Sequence, residues 1–294
     1  MSRLLAAIDV GSNAARLFIA GVYEHNGRVL LHKQNFLRVP LRLGMDVYDY
    51  GAISEKRGKM FLNTMKAFSN LLEVYQPGAY RACATAAIRE ASNGKDWLTG
   101  IKAETGMNIN IIDGLEEARL IRNTTVIRSK DPEEVTMFVD VGGGSTEISL
   151  VAGDVLLHQR SFNIGTLRML SGKEDKWVWK AMHQWLLDIS SDYAKIKLIG
   201  SGGNINKLVK LFGVPKDKVI SYNRLLKANG MLASMTVEER MDAYRLREDR
   251  ADVIVPASKI FLFIMKAINV RQVTAPKIGV ADGLIVELYR GMQQ

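Results

Sequence analysis

Asp140 and Glu147 flank three glycines, Ser145 and Thr146 in the stretch MFVDVGGGSTEI, residues 137–148. Apolar residues lead into Asp140 and alternate again beyond Glu147. The stretch reads as strand, tight turn and strand, a β-hairpin whose turn is almost all backbone. Glycine there permits positive φ and lets a ligand approach the amides. Successive N–H groups in such a turn form a concavity suited to phosphate, and carboxylates beside a phosphate cradle usually hold a bridging Mg2+. A plain glycine-rich hairpin with two solvated acids satisfies the same residues, because glycine motifs recur by chance.

The chain makes the statement twice. Residues 8–22 read IDVGSNAARLFIAGV and residues 139–153 read VDVGGGSTEISLVAG. Asp9 falls on Asp140, Gly11 on Gly142, and Ser12-Asn13 on Gly143-Gly144. Such a repeat reads as two similar domains. Two phosphate-binding hairpins facing each other across a cleft are the architecture of actin-like and sugar-kinase-like ATPases.

The elements that must carry these turns follow from the rest of the 294 residues, enough for two domains. Hydrophobic content is 47% and charged content 24%, within the globular range. No apolar run approaches the ~20 residues of a membrane helix, and the opening MSRLLAAIDVG is too short an apolar run for a signal peptide. The single cysteine, Cys83, excludes an intrachain disulfide and fits a reducing cytoplasm. Its apolar surroundings suggest a buried, inert thiol. The net charge of +9 and pI of about 9.5 favour polyanionic partners. No basic run of five or more and no nucleic-acid signature is present, so nucleic acid is not expected; a small or linear polyphosphate substrate would use the same charge.

The periodicity predicts strands at 28–37, 80–85, 108–112, 197–201 and 270–273. It predicts helices at 55–75, capped by Ser54, and at 86–93, 96–105, 115–127, 177–193, 205–211, 224–234, 237–244 and 253–268. Residues 39–54 read as a loop, Asp131-Pro132 as a turn, residues 161–170 as a glycine turn into a helix, and residues 277–290 as a turn ending in a helix. This order is α/β throughout. The expected domains are residues 1–128, completed by 272–294, and residues 129–271.

Four segments stand together: IDVGSN, ATAAIREASNG, GLEEARL and FVDVGGGSTE, with IGSGGNI downstream. The set closely resembles the exopolyphosphatase / guanosine pentaphosphate phosphohydrolase (Ppx/GppA) family over nearly the whole chain. GLEEARL and DVGGGSTE together are the specific pair. RLGMDVYDYGAIS resembles the family's segment after the second strand. RADVIVPAS and IGVADGLIVEL match its late motifs more loosely, the first approached by Arg-Glu-Asp, the second lacking an arginine before its glycine. The resemblance implies two actin-like (ribonuclease H-like) domains with a cleft between them, in a short form without the further domain of longer members.

Cleaving a terminal phosphoanhydride needs an oriented water, a neutralised phosphoryl group and an in-line leaving group. The resemblance implies that Glu117 orients and deprotonates the water, with Glu116 as the fallback. On the residues alone, both acids are equally a solvated helix face. Asp140 and Glu147 are implied as Mg2+ ligands (or ligands of another divalent cation), with Asp9 contributing. Asp9 and Asp140 could equally cap their turns. Gly11, Ser12, Asn13, Gly142, Gly143, Gly144, Ser145 and Thr146 would hold phosphates through amides and hydroxyls, and Arg89 by bidentate contact. Gly202 and Gly203 match where actin-like folds approach a nucleotide, or form a tight strand–helix turn.

The expected activity is release of orthophosphate from inorganic polyphosphate or from the 5′ end of guanosine pentaphosphate. The rivals are an ATPase or phosphotransferase of the same fold and a non-catalytic polyphosphate or nucleotide sensor. The four histidines are isolated, and no P-loop or nucleophile elbow occurs. No membrane partner is expected, and the apolar late helices are compatible with a homodimer.

Overall fold

The computed structural model describes residues 3–26, 28–124 and 134–293. The chain divides into two compact units, Met1–Val126 with Gly279–Gln294, and Ile127–Ile278.

In the first unit, β1 (Arg3–Val10), β2 (Ala15–His25) and β3 (Arg28–Val39) form an antiparallel meander. Beyond them come α1 (Leu43–Tyr50), α2 (Glu55–Tyr75), β4 (Ala79–Ala84), α3 (Ala86–Glu90), α4 (Gly94–Thr105), β5 (Ile109–Ile111) and α5 (Gly114–Thr124). β4 pairs parallel with β1, and β5 with β4, giving the order β3-β2-β1-β4-β5. β1 is buried on both faces from Leu5 to Val10, as a central strand must be. α2 begins where the Ser54 hydroxyl accepts the Arg57 amide (3.3 Å) and buries Phe61, Met65, Phe68 and Leu72 along one stripe.

Residues 39–54, expected as a loop, contain α1. It buries Leu43, Val47 and Tyr48, but at eight residues it is two turns long, too short for periodicity to register. Gly51, left-handed at φ 77°, closes it by donating to Val47 O (2.9 Å). Asp46 then ties α1 to α2. It accepts from the Ser54 amide at 3.0 Å and from Arg57 Nε at 2.7 Å. Burial alone would raise its carboxyl, but these Ser54 and Arg57 partners outweigh it and lower the pKa.

The second unit repeats the plan. It runs β6 (Glu134–Val141), β7 (Thr146–Ala152), β8 (Val155–Phe162), α6 (Thr166–Leu170), α7 (Lys176–Ser190), β9 (Lys195–Ser201) and α8 (Gly203–Phe212). It continues through β10 (Val219–Ser221), α9 (Tyr222–Ala233), α10 (Val237–Tyr244), α11 (Glu248–Ala251), α12 (Ile254–Ala267) and β11 (Gln272–Thr274). The sheet order β10-β11-β9-β6-β7-β8 places an antiparallel meander beside parallel strands, as in the first unit. Its core gathers around α12, whose Ile260, Phe261 and Ile264 are fully buried. β10 and α11, three and four residues long, carry no readable pattern in sequence.

β11 pairs with β9 (Val273 with Leu198) and so belongs to the second unit. The return to the first unit therefore starts at Gly279 rather than at 272. The returning helix, α13 (Val280–Gly291), packs on α5 and β1. The Asp131-Pro132 turn lies outside the described residues. No helix among the described residues is long and apolar enough to cross a membrane.

Candidate functional site

In the first unit the β1–β2 turn is closed by the Gly11 amide on Ala14 O (3.1 Å). The start of α1 docks on its carbonyls: the Arg42 amide donates to Asn13 O (3.0 Å) and the Gly44 amide to Ser12 O (2.9 Å). Arg42 adopts a left-handed conformation, φ 54°, at this junction. Ser12 Oγ shares a hydrogen bond with Tyr48 Oη of α1 (2.9 Å). Asp9, 3% exposed, faces Arg16 directly across the hairpin and forms an ion pair with it.

The second hairpin is built the same way. The Gly142 amide closes the turn on Ser145 O (2.9 Å). α6 docks on the carbonyls: Thr166 N to Gly142 O (3.0 Å), and Leu167 N and Arg168 N to Gly143 O (2.8 and 3.1 Å). Arg168 Nε adds a bond to Gly144 O (2.8 Å). Gly165 passes so close that a Cβ there would lie 2.4 Å from the carbonyl carbon of Gly144. With the carbonyls held on one side, the amides of Gly143 and Gly144 donate to no protein acceptor among the described residues. None of the three glycines takes a positive φ, so left-handed freedom is not what the turn uses; the close approach explains glycine at 165. The Thr146 hydroxyl, expected to hold phosphate, instead donates to Ile164 O (2.6 Å).

At the equivalent positions the two hairpins carry opposite charge. Extending the sequence repeat past the turn places Arg16 on Glu147. In the second hairpin Asp140 therefore faces Glu147, a carboxylate opposite a carboxylate. Glu147 is 2% exposed and accepts from Ser161 Oγ (2.8 Å); Asp140 accepts from Ser201 Oγ. Like charges directly opposite in a sheet are unfavourable, and a divalent cation would offset them. No cluster of three or more His, Cys, Asp or Glu converges among the described residues. A metal fits at this pair with phosphate and water oxygens completing its shell, the arrangement Mg2+ prefers. Gly202, φ 97°, starts α8 with its Cβ position 3.3 Å from Asp140 Oδ1.

Glu117 sits in the first turn of α5 and is 6% exposed. Arg89 Nη1 lies 3.4 Å from its Oε1 and donates to Ile112 O (2.6 Å). Arg89 thus braces Glu117. Glu116 is engaged elsewhere. Arg81 binds it at 2.7 Å while also reaching Glu287 of α13 at 2.6 Å, and Arg119 bridges the same two acids. Cys83, the register partner of Asp9, is fully buried; burial first, then the charges of Asp9 and Glu117, push its thiol well above the usual range. The first unit thus collects Asp9, Cys83 and Glu117 in one neighbourhood. Sequence reasoning missed Arg16, although the repeat carries it, and Arg168, whose role is a contact to a carbonyl that no motif spells. It also missed Asp282 in IGVADG, whose carboxyl accepts from the Gly279 amide (3.0 Å). Burial raises the Asp282 pKa to about 6 against that bond and the nearby charges of Lys33 and Arg16.

Two α/β units of one plan, each presenting a hairpin turn braced from behind by a following segment, define the class of the protein. The sequence profile of the Ppx/GppA phosphatase family matches residues 24–291, and the chain belongs to that family. It is 24% identical over 306 residues to a guanosine-5'-triphosphate,3'-diphosphate pyrophosphatase of Photobacterium profundum and 25% identical over 308 residues to that of Vibrio cholerae. Both matches take in 100% of this chain and 61% of the relative, so the chain spans about three fifths of their length. The crystal structure of the Aquifex aeolicus Ppx/GppA family member superposes with a TM-score of 0.77 at 26% identity, over 100% of both chains. An exopolyphosphatase from Cytophaga hutchinsonii, 23% identical, shares the fold with a TM-score of 0.84 over 98% of each chain.

Proposed function

We propose that this chain is a divalent-cation-dependent phosphohydrolase that removes a terminal phosphoryl group from inorganic polyphosphate or from guanosine pentaphosphate. The observation that carries the reading is the opposite charging of two otherwise equivalent hairpins, Asp9–Arg16 in one and Asp140–Glu147 in the other. One is suited to grip anionic phosphate and the other to hold a cation. The names of the curated relatives and of the Cytophaga structure agree with a hydrolase of this type.

Glu117 is the group that takes the proton from the attacking water, oriented by Arg89. Asp140 and Glu147 would hold Mg2+. When bound, the ion neutralises charge on the phosphoryl oxygens and fixes their orientation. The amides of Gly143 and Gly144 receive the phosphate as a backbone nest. Asp9, expected among the metal ligands, is assigned to holding Arg16, whose guanidinium binds phosphate. Gly11, Ser12 and Asn13 shape the first turn, and Gly202 and Gly203 border the second.

Orthophosphate release from long-chain polyphosphate, guanosine pentaphosphate and ATP, with and without Mg2+, tests the reading. Metal-dependent release from one of the first two, lost in Glu117→Gln, is expected. Release from ATP alone points to an ATPase or phosphotransferase. Tight binding of all three without turnover makes the protein a sensor and removes the role given to Glu117.

A further inference from the structure

Glu287, on α13, is the hub of a polar cluster that the reaction leaves unused. Its Oε2 accepts from Arg81 Nη1 at 2.6 Å and from Arg119 Nη2 at 3.3 Å. Its Oε1 accepts from Arg119 Nη1 and, at 3.5 Å, from Asn123 Nδ2. The side chain is 18% exposed. Arg81, from β4, places its other terminal nitrogen on Glu116 at 2.7 Å. Two arginines and two glutamates thus balance in charge, and the cluster joins β4, α5 and α13 at one point.

Glu116, Arg119 and Asn123 recur at spacings of three and four, so they share one stripe of α5. Glu117 lies about 100° round the helix from Glu116. It meets Arg89 at 3.4 Å, longer than a typical hydrogen bond. Partly exposed ion pairs add little to stability, but a helix gripped at Arg119 and Asn123, one turn apart, is fixed in rotation. Rotation matters at Glu117. A carboxylate about 6 Å from the helix axis moves about 1 Å when the helix turns by about 10°, and a displacement of that size can cost about 100-fold in rate. The two acids of the cluster are not equivalent in this. Glu116 belongs to α5 itself, and without it both arginines still bind Glu287. Without Glu287, no member of the cluster ties α5 to α13.

We propose that Glu287 is a positioning residue for the reaction: by holding Arg119 and Asn123 from α13 it sets the rotation of α5, and with it the place of the Glu117 carboxylate. The proposal rests on the role given to Glu117 above. Glu287 acts through α5 and takes no part in proton transfer.

The test compares the full chain with Glu287→Gln, Glu287→Asp and Glu117→Gln/Glu287→Gln, on whichever of long-chain polyphosphate and guanosine pentaphosphate the wild type hydrolyses. Glu287→Gln is expected to lower kcat about 10- to 100-fold, with KM within about twofold and the Mg2+ response unmoved. Glu287→Asp should recover part of the loss. The double variant should be no slower than Glu117→Gln alone, because the place of a base already removed has no effect. A kcat for Glu287→Gln within about twofold of wild type, or a loss that multiplies onto that of Glu117→Gln, overturns the proposal. If Glu287→Gln does not fold, Arg81→Lys takes its place, since one ammonium cannot span both acids as the guanidinium fork does; the same kcat-specific loss supports the proposal and wild-type kcat overturns it. If the wild type hydrolyses neither substrate, the phosphohydrolase reading fails by itself, and amide hydrogen exchange decides the hold on α5. Faster exchange along α5 in Glu287→Gln, with β1 and β4 unchanged, supports it, and identical exchange overturns it.

Discussion

Arg168 donates its Nε to the carbonyl oxygen of Gly144 at 2.8 Å, turning a side chain into the back wall of the second phosphate turn. In the first unit the same place is taken by main chain, the Arg42 amide on Asn13 O at 3.0 Å. Both contacts hold peptide oxygens away from the side on which the proposed site would offer its amides to an anion. Preorganised amides need no reorientation when phosphate arrives.

Removing this wall is expected to weaken phosphate handling more than folding. Losing a hydrogen bond from a charged donor costs about 1.5–3 kcal/mol, so Arg168→Ala should lower kcat/KM about 10- to 100-fold. Lys at this position should restore part of the loss, and the Mg2+ concentration for half-activation should not move. Gly165→Ala acts on the same turn by crowding and should destabilise the fold by about 1–3 kcal/mol, read by denaturant unfolding. Wild-type kcat/KM in Arg168→Ala would remove the wall from the mechanism.

Two neighbouring glutamates should separate cleanly. Glu117→Gln should reduce turnover about 10²- to 10⁴-fold with substrate binding retained, the range for a lost general base. Glu116→Gln should leave turnover within a few-fold and instead loosen α5, because its carboxylate is bound to Arg81 and Arg119. Paired kinetic and thermal measurements on both variants decide the assignment, and a reversed pattern overturns it.

Metal dependence should follow the second hairpin and not the first. Glu147→Gln should raise the Mg2+ needed for activity by at least the ~10- to 100-fold typical of disturbed metal shells. Arg16→Met alone would strand the buried Asp9 charge, so the clean comparison is Asp9→Asn/Arg16→Met, which removes the pair together. That double variant should raise KM while keeping the Mg2+ response of the wild type. A shifted Mg2+ response would return Asp9 to the metal shell.

How much of this was legible in the chain depends on where the information lies. The paired hairpins were readable because the repeat preserves both the apolar strands and the turn. The charge inversion at Arg16 and Glu147 was present in the same alignment, five residues beyond Gly11 and Gly142, in what looks like ordinary strand. α1 escaped because eight residues, two turns, are too few to make a periodic signal. Arg168, Gly165 and the true partner of the Thr146 hydroxyl escaped for a different reason. Their partners are backbone oxygens brought together only by the fold, and such contacts leave no spacing to read.

Acid pH should strengthen the first unit through Asp282. Burial raises its folded pKa from 3.8 to about 6, so between those values the folded state holds a proton that the unfolded chain has lost. Stability then falls as pH rises through that window, by at most ~3 kcal/mol for a shift of about two units. Asp282→Asn should abolish this slope and be the more stable protein at neutral pH, measured by denaturant unfolding from about pH 4 to 7. Parallel profiles for the two proteins would show that Asp282 does not titrate in this window.

The backbone of Gly283 lies against α5 so tightly that a Cβ would stand 2.3 Å from Leu120 O. α13 is therefore not an appendage; it fills a slot that only residues made after the entire second unit can occupy. On a ribosome, the stretch from β1 to α5 emerges first yet must wait with that slot open, while residues 127–278, contiguous in sequence, can close their own core. The part of the protein translated first is thus the last to be finished, and the helix carrying Glu117 is held in its final place only when the late-made α13 has been threaded home.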